Sequence, residues 1–144
     1  MSVRKLLEQK GSFVPSIRSN MLLSDVVDQL EADDAGALVV SDDDRRILGL
    51  ISERDIVRGL KRYGRNVLDR PVRELMSTDV ITCDIGEPLA RVLELMDRHQ
   101  IRHVPITREG DLCGIITMLD VAKYRLAELQ SEAEALKSYV SGHG

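Results

Sequence analysis

GLISERD, residues 49–55, and GIITMLD, residues 114–120, follow one plan 65 residues apart: glycine, two aliphatics, a hydroxyl residue, two variable positions, aspartate. The echo continues on both sides. VRKLL (3–7) matches VRELM (72–76) at an offset of 69. Three extra residues in EQKGSF lower the offset to 66, where Val14 meets Val80, Leu23 meets Leu89, Val26 meets Val92, Val27 meets Leu93 and Leu30 meets Met96. One residue more in SDDDRRIL than in TREGDLC then gives 65. Both length changes sit in polar, turn-like stretches, where extra chain costs little. The chain reads as a tandem duplication: repeat one at 3–60, a connector at 61–71, repeat two at 72–126, and a tail at 127–144.

Composition bounds what such a chain does. Its 144 residues suffice for one domain-sized core, or for two halves that would each be marginal alone. A net charge of −4 removes any bulk attraction to nucleic acid or to an anionic membrane. No apolar run reaches the length of a membrane span, and MSVRKLLEQKGS lacks the hydrophobic region of a secretory signal. The expectation is a cytoplasmic protein. Cys83 and Cys113 fall in separate apolar runs and read as buried free thiols, with a metal or redox site as the alternative.

Within each copy the pattern reads strand, helix, strand, strand, helix. Leu23, Val26, Val27 and Leu30 lie at i, i+3, i+4 and i+7, one face of a helix, and Leu89, Val92, Leu93 and Met96 repeat that spacing. ALVV (37–40) and HVPI (103–106) are short β-prone runs, and the turns SDDD and REGD lead into ILGLI and LCGII as hairpins. Neither copy covers its sheet alone, so the two sheets are expected to complete one core about a pseudo-twofold axis.

Two β-α-β-β-α units, each closing on Gly-h-h-[Ser/Thr]-x-x-Asp, resemble the CBS domain family, and free-standing bacterial tandem modules in particular. The resemblance spans roughly residues 3 to 126. It implies an α+β fold of paired repeats about a pseudo-twofold axis, here with an extended C-terminal helix.

Taken alone, Ser52-Glu-Arg-Asp55 and Thr117-Met-Leu-Asp120 read as capping boxes, a hydroxyl capping a helix start and an acid three residues on reaching back. The same geometry suits a ligand. A helix start favours anions, a hydroxyl donates to phosphate, and a carboxylate accepts from ribose hydroxyls. The family resemblance implies these roles: Asp55 and Asp120 on ribose, Ser52 and Thr117 near phosphate, and the base in an apolar slot. Val14, Leu38, Val80, Ile81 and Val104 are candidates for its walls, with plain core packing as the other reading.

The halves differ at the start of their second strand, where Arg102 and His103 stand opposite Gly36 and Ala37. Nucleotide-binding members of the family often aim such residues at phosphates, which implies that Arg102 and His103 make one cleft prefer charged nucleotides. Arg54 is a further phosphate candidate. His99 and His103 lie four apart, but the helix is expected to stop before Ile101, so metal-ligand spacing fails. Asp42, Asp43 and Asp44 read as a solvated turn. The chain shows no nucleophile–base pair and no Gly-rich phosphate loop, so the reading is non-enzymatic.

In the tail, Ala122, Leu126, Leu129, Ala133, Leu136 and Val140 alternate spacings of four and three, an a/d seam, with Gly142 as a stop signal. The stripe either covers the module's own surface or pairs helices across a homodimer, a state the resemblance favours. The resulting expectation is a regulatory module without a required cofactor. It binds AMP, ADP, ATP or another adenosine derivative and signals to an unidentified partner protein. A ligand-free dimerisation module is the alternative. A nucleic-acid binder using the basic run RGLKRYGR (58–65) ranks below both.

Overall fold

In the computed structural model, which describes residues 1–11, 14 and 16–143, the helices and strands fall where the two periodicities place them. The first copy holds α1 (Val3–Lys10), β1 (Ser16–Ile17), α2 (Leu23–Ala32), β2 (Ala37–Val40), β3 (Gly49–Ser52) and α3 (Glu53–Tyr63). The second holds β4 (Cys83–Asp84), α4 (Leu89–His99), β5 (His103–Arg108), β6 (Asp111–Thr117) and α5 (Met118–His143). Between them, Gly64–Asp69 and Val72–Glu74 form short 3-10 turns. The offset change in EQKGSF falls partly on Ser12 and Phe13, outside the described residues.

Each copy builds a three-stranded sheet, in the orders β1-β2-β3 and β4-β5-β6. The first pair of each is parallel and the second antiparallel, so the sheets match strand for strand. The hairpins close differently. Glu109 and Gly110, both at positive φ (52° and 84°), turn β5 into β6 in two residues. In the longer loop between β2 and β3 the three acids are bound rather than merely solvated. Asp42 accepts from the Ser19 amide and hydroxyl, Asp43 from the amides of Arg45 and Arg46, and Asp44 pairs with Arg18.

The apolar core is two clusters rather than one, and the lead segments are exchanged between them. Leu23, Val26 and Leu30 of α2 pack with Leu38, Val40 and Ile51, and with Val67, Val72, Leu75 and Met76 from beyond α3. Leu89, Val92 and Met96 of α4 pack with Val104, Ile106 and Ile116, and with Val3, Leu6 and Leu7 of α1. So VRKLL seals the second copy, and VRELM seals the first. Full burial of a Val or Leu contributes about 1.5–3 kcal/mol, so each exchanged segment is a large share of its host's stability. The connector is likewise no free linker, because Val67 is fully buried in the first cluster.

The repeated glycines are where the exchange makes contact. A Cβ on Gly49 would lie 2.5 Å from Met76 Sδ and 2.9 Å from the Ser77 carbonyl. One on Gly114 would lie 2.7 Å from Leu7 Cδ2. Leu7 and Met76 are themselves repeat partners, so one packing relationship is used twice. Paired hydrogen bonds of 2.9 Å between Leu50 and Ser77 pin the second lead segment along β3.

Two details depart from the sequence reading. Val27 and Leu93, the matching i+4 members of the helical stripes, stay 36% and 41% exposed. The tail helix does not stop at Gly142 but runs through it to His143. Gly142 is not at positive φ, and a glycine disfavours helix by only about 1 kcal/mol. Leu126, Leu129, Leu136 and Val140 are all exposed, so the tail stripe does not cover the module's own surface. Cys83 is buried, Cys113 partly so, and both are free thiols whose pKa burial raises. No helix among the described residues is long and apolar enough to cross a membrane.

Candidate functional site

Strand alternation sends Val104 and Ile106 into the core and His103 to the opposite face, where the two copies meet. Two clefts open on that face. The first, about 890 Å³, takes in Val14, Leu38, Thr117 and Asp120, and the second, about 570 Å³, takes in Ser52, Arg54, Asp55, Val80 and Ile81. Each copy's motif therefore faces the aliphatic wall supplied by the other copy. Val104 lines neither cleft. It is fully buried, because the parity that points His103 outward points Val104 in.

Both motifs close as capping boxes. The Ser52 amide and hydroxyl each donate to Asp55 Oδ2 at 2.9 Å, while the Asp55 amide donates back to Ser52 Oγ at 3.4 Å. The Thr117 amide donates to Asp120 Oδ2 at 2.8 Å, and the Asp120 amide to Thr117 Oγ1 at 3.1 Å. These bonds start α3 and α5 and hold both carboxylates at the cleft rims.

A second donor reaches each carboxylate from the exchanged lead segments. Ser77 Oγ donates to Asp55 Oδ1 at 2.9 Å, and Lys10 Nζ donates to Asp120 Oδ2 at 2.6 Å and to the Ile115 carbonyl at 2.8 Å. Neither residue is in the motif, and the spacing around the motif does not signal them. The VRKLL/VRELM echo was a partial signal, since it brings the stretch after each run to the opposite copy. Lys10 stands three residues past its run and Ser77 one past its own, so the two are not repeat partners. The chemistry at the two carboxylates differs: a cation on Asp120, a neutral hydroxyl on Asp55. Burial raises the Asp120 pKa, but the Lys10 bond and the Thr117 amide outweigh it and hold the carboxyl below its ordinary value.

Arg102 and His103 line both clefts rather than serving one. The imidazole lies over Gly36, whose Cβ, if present, would stand 3.1 Å from Cε1 and Nε2. That contact is what the small residue at this position permits. Burial lowers the His103 pKa, and Lys10 and Arg102 push the same way, so the ring is neutral at pH 7. His99 reaches the second cleft with His103, but no group of three or more His, Cys, Asp or Glu among the described residues is placed to hold a metal ion.

The fold and clefts define a class: a tandem α+β repeat whose two motif aspartates face a shared, ligand-sized interface. The chain belongs to the CBS domain family, whose model matches residues 12–62 and 72–127. It is similar to the crystal structure of the CBS-domain containing protein ATU1752 from Agrobacterium tumefaciens, with 33% identity and a TM-score of 0.82 over 87% of this chain and 99% of that one. CBS domain-containing protein YhcV of Bacillus subtilis is 28% identical, with 85% of this chain and 86% of that protein covered. The CBS domain pair of protein MJ0100, crystallised with 5′-methylthioadenosine and S-adenosyl-L-methionine, shares the fold at a TM-score of 0.75 and 22% identity, over 86% of this chain and 98% of that one. The chain spans 64%, 41% and 59% of the lengths of three other curated relatives.

Proposed function

We propose that this CBS pair is a regulatory module that binds adenosine-type ligands in its two clefts. The observation that carries the reading is the repeated rim: a carboxylate and a hydroxyl at a helix start, facing aliphatic walls from the other copy. Both clefts fall in the size range of small-molecule sites, about 300–1,000 Å³. Asp120 and Asp55 accept from ribose hydroxyls, Thr117 and Ser52 sit toward the 5′ group, and Val14 with Leu38, or Val80 with Ile81, flanks the base. The clefts lie between the copies, so a bound ligand biases how the halves sit, to the extent that it prefers one arrangement. A partner protein reads that arrangement. The test is a thermal-shift panel of AMP, ADP, ATP, S-adenosylmethionine and NAD at millimolar concentration. At least one should raise Tm, and a flat panel selects the ligand-free dimerisation module instead, whose support is that both motifs already cap helices.

The same reading places a second copy of the chain on α5, where Leu126, Leu129, Leu136 and Val140 form an exposed stripe. Nucleic-acid binding has less support. The one aromatic of the basic run, Tyr63, carries Arg70 at 3.8 Å and Arg62 at 5.3 Å on its ring, and Arg58 lines the second cleft.

A further inference from the structure

Because the repeats align residue by residue, the two clefts can be compared position by position. Arg54 in the first turn of α3 lines the second cleft, and its counterpart in the first cleft is Leu119. His99 and Gln100, at the end of α4, line the second cleft where Asp33 and Asp34, at the end of α2, line the first. Arg58 also lines the second cleft, whereas its counterpart Lys123 lies outside the lining of the first.

Balance matters as well as position. The second cleft sets Arg54, Arg58 and Arg102 against Glu53, Asp55 and Asp79. Asp55 is buried and occupied by Ser52 and Ser77, while the three guanidinium groups make no ion pair among the described residues. The first cleft sets Lys10 and Arg102 against Asp33, Asp34 and Asp120, and its lysine is consumed by Asp120 at 2.6 Å. Arg102 is common to both, so it does not distinguish them. The neutral imidazole of His103 gives neither cleft a positive charge at pH 7.

We infer that the clefts divide their ligands by charge: the second, at Ser52 and Asp55, takes a phosphorylated nucleoside, and the first, at Thr117 and Asp120, takes an uncharged one. The inference rests on the adenosine-binding reading above. Two unpaired arginines supply charge-assisted, bidentate contacts to phosphate in the second cleft. In the first, a phosphate would face Asp33 and Asp34, while Leu119, Met118 and Ala122 offer apolar contact to an uncharged 5′ substituent.

Calorimetric titration of the full chain with AMP and with 5′-methylthioadenosine tests this. The proteins are wild type, Arg54→Leu/Arg58→Ala, Asp55→Asn and Asp120→Asn. Arg54 and Arg58 are exposed, so the double variant is expected to fold, and it decides the matter even where Asp55→Asn is too unstable to titrate. AMP affinity should fall by tens to several hundred-fold in the double variant, the value of one or two charge-assisted contacts. It should also fall in Asp55→Asn. The 5′-methylthioadenosine affinity should hold in the double variant and be lost in Asp120→Asn. Unchanged AMP affinity in the double variant, or AMP lost with Asp120→Asn instead of Asp55→Asn, overturns the division and leaves adenosine binding standing. Wild type that binds neither compound overturns both.

Discussion

Lys10 Nζ lies 2.6 Å from Asp120 Oδ2, an ion pair between residues 110 apart in the chain. It joins the helix exchanged from the first copy to the motif carboxylate of the second. Both side chains are largely shielded, at 29% and 19% exposure, so the pair is worth more than a surface contact. On the proposed ligand reading, Lys10 and a ribose hydroxyl compete for the same carboxylate.

Lys10→Met should therefore cost about 1 kcal/mol of stability, since Asp120 keeps its Thr117 amide. Binding of an uncharged nucleoside to the first cleft should tighten, because Lys10 no longer competes. Denaturant melts and calorimetry check the two halves of this expectation, and weakened binding would make Lys10 a ligand contact rather than a competitor.

The two motif aspartates should differ in what they contribute to the unliganded protein. Asp120→Ala removes both the capping-box acceptor and the Lys10 ion pair, together about 1–2 kcal/mol, with the Lys10 ammonium left partly in solvent. Asp55→Ala should cost more, about 2–3 kcal/mol, because Asp55 is 7% exposed and its loss strands Ser77 and Ser52. Each change should abolish the stabilisation that its own cleft's ligand provides. A ligand response that survives both changes removes the ribose roles.

Replacing the motif glycines should reveal which exchanged contact is stiffer. Gly114→Ala meets the ends of the flexible Leu7 side chain, and Gly49→Ala meets the Ser77 carbonyl as well as Met76. Backbone pinned by the Leu50–Ser77 bonds cannot yield, so Gly49→Ala should cost about 1–3 kcal/mol and Gly114→Ala clearly less. Equal losses in urea melts would show that Leu7 is as tightly held as the backbone.

His103 gives a pH signature. Its folded-state pKa is lowered from 6.5, chiefly by burial, so the unfolded chain takes up a proton first on acidification. Stability from the neutral ring is complete above pH 6.5 and declines as pH falls below it. Asp120, lowered from 3.8, keeps its contribution until pH approaches that lower range. Wild type should therefore lose Tm relative to His103→Gln as pH drops below 6.5. Parallel curves would mean that the ring protonates freely in the folded protein.

The tail is tested by Leu129→Asp with Leu136→Asp. Sedimentation should report a dimer for wild type and a monomer for the variant. A variant that stays dimeric moves the interface to the α2 and α4 face, where Val27 and Leu93 are exposed.

The duplication, the helices and the hairpins were legible in the sequence because they rest on local rules: a 3.6-residue period, alternation along strands, and a motif written twice. The capping boxes were legible for the same reason, since their partners lie three residues apart. Alternation also held the answer for Val104, whose neighbour His103 must face the other way. What only the tertiary structure decided is long-range. Exchange of the lead segments puts Lys10 on Asp120 and Ser77 on Asp55, contacts that no local pattern encodes. It also turns one expected core into two. The placement of Arg102 and His103 between both clefts follows from packing the copies about their pseudo-twofold axis, which brings the imidazole over Gly36. Charge at each cleft is likewise a sum over both copies, so neither motif alone carries it.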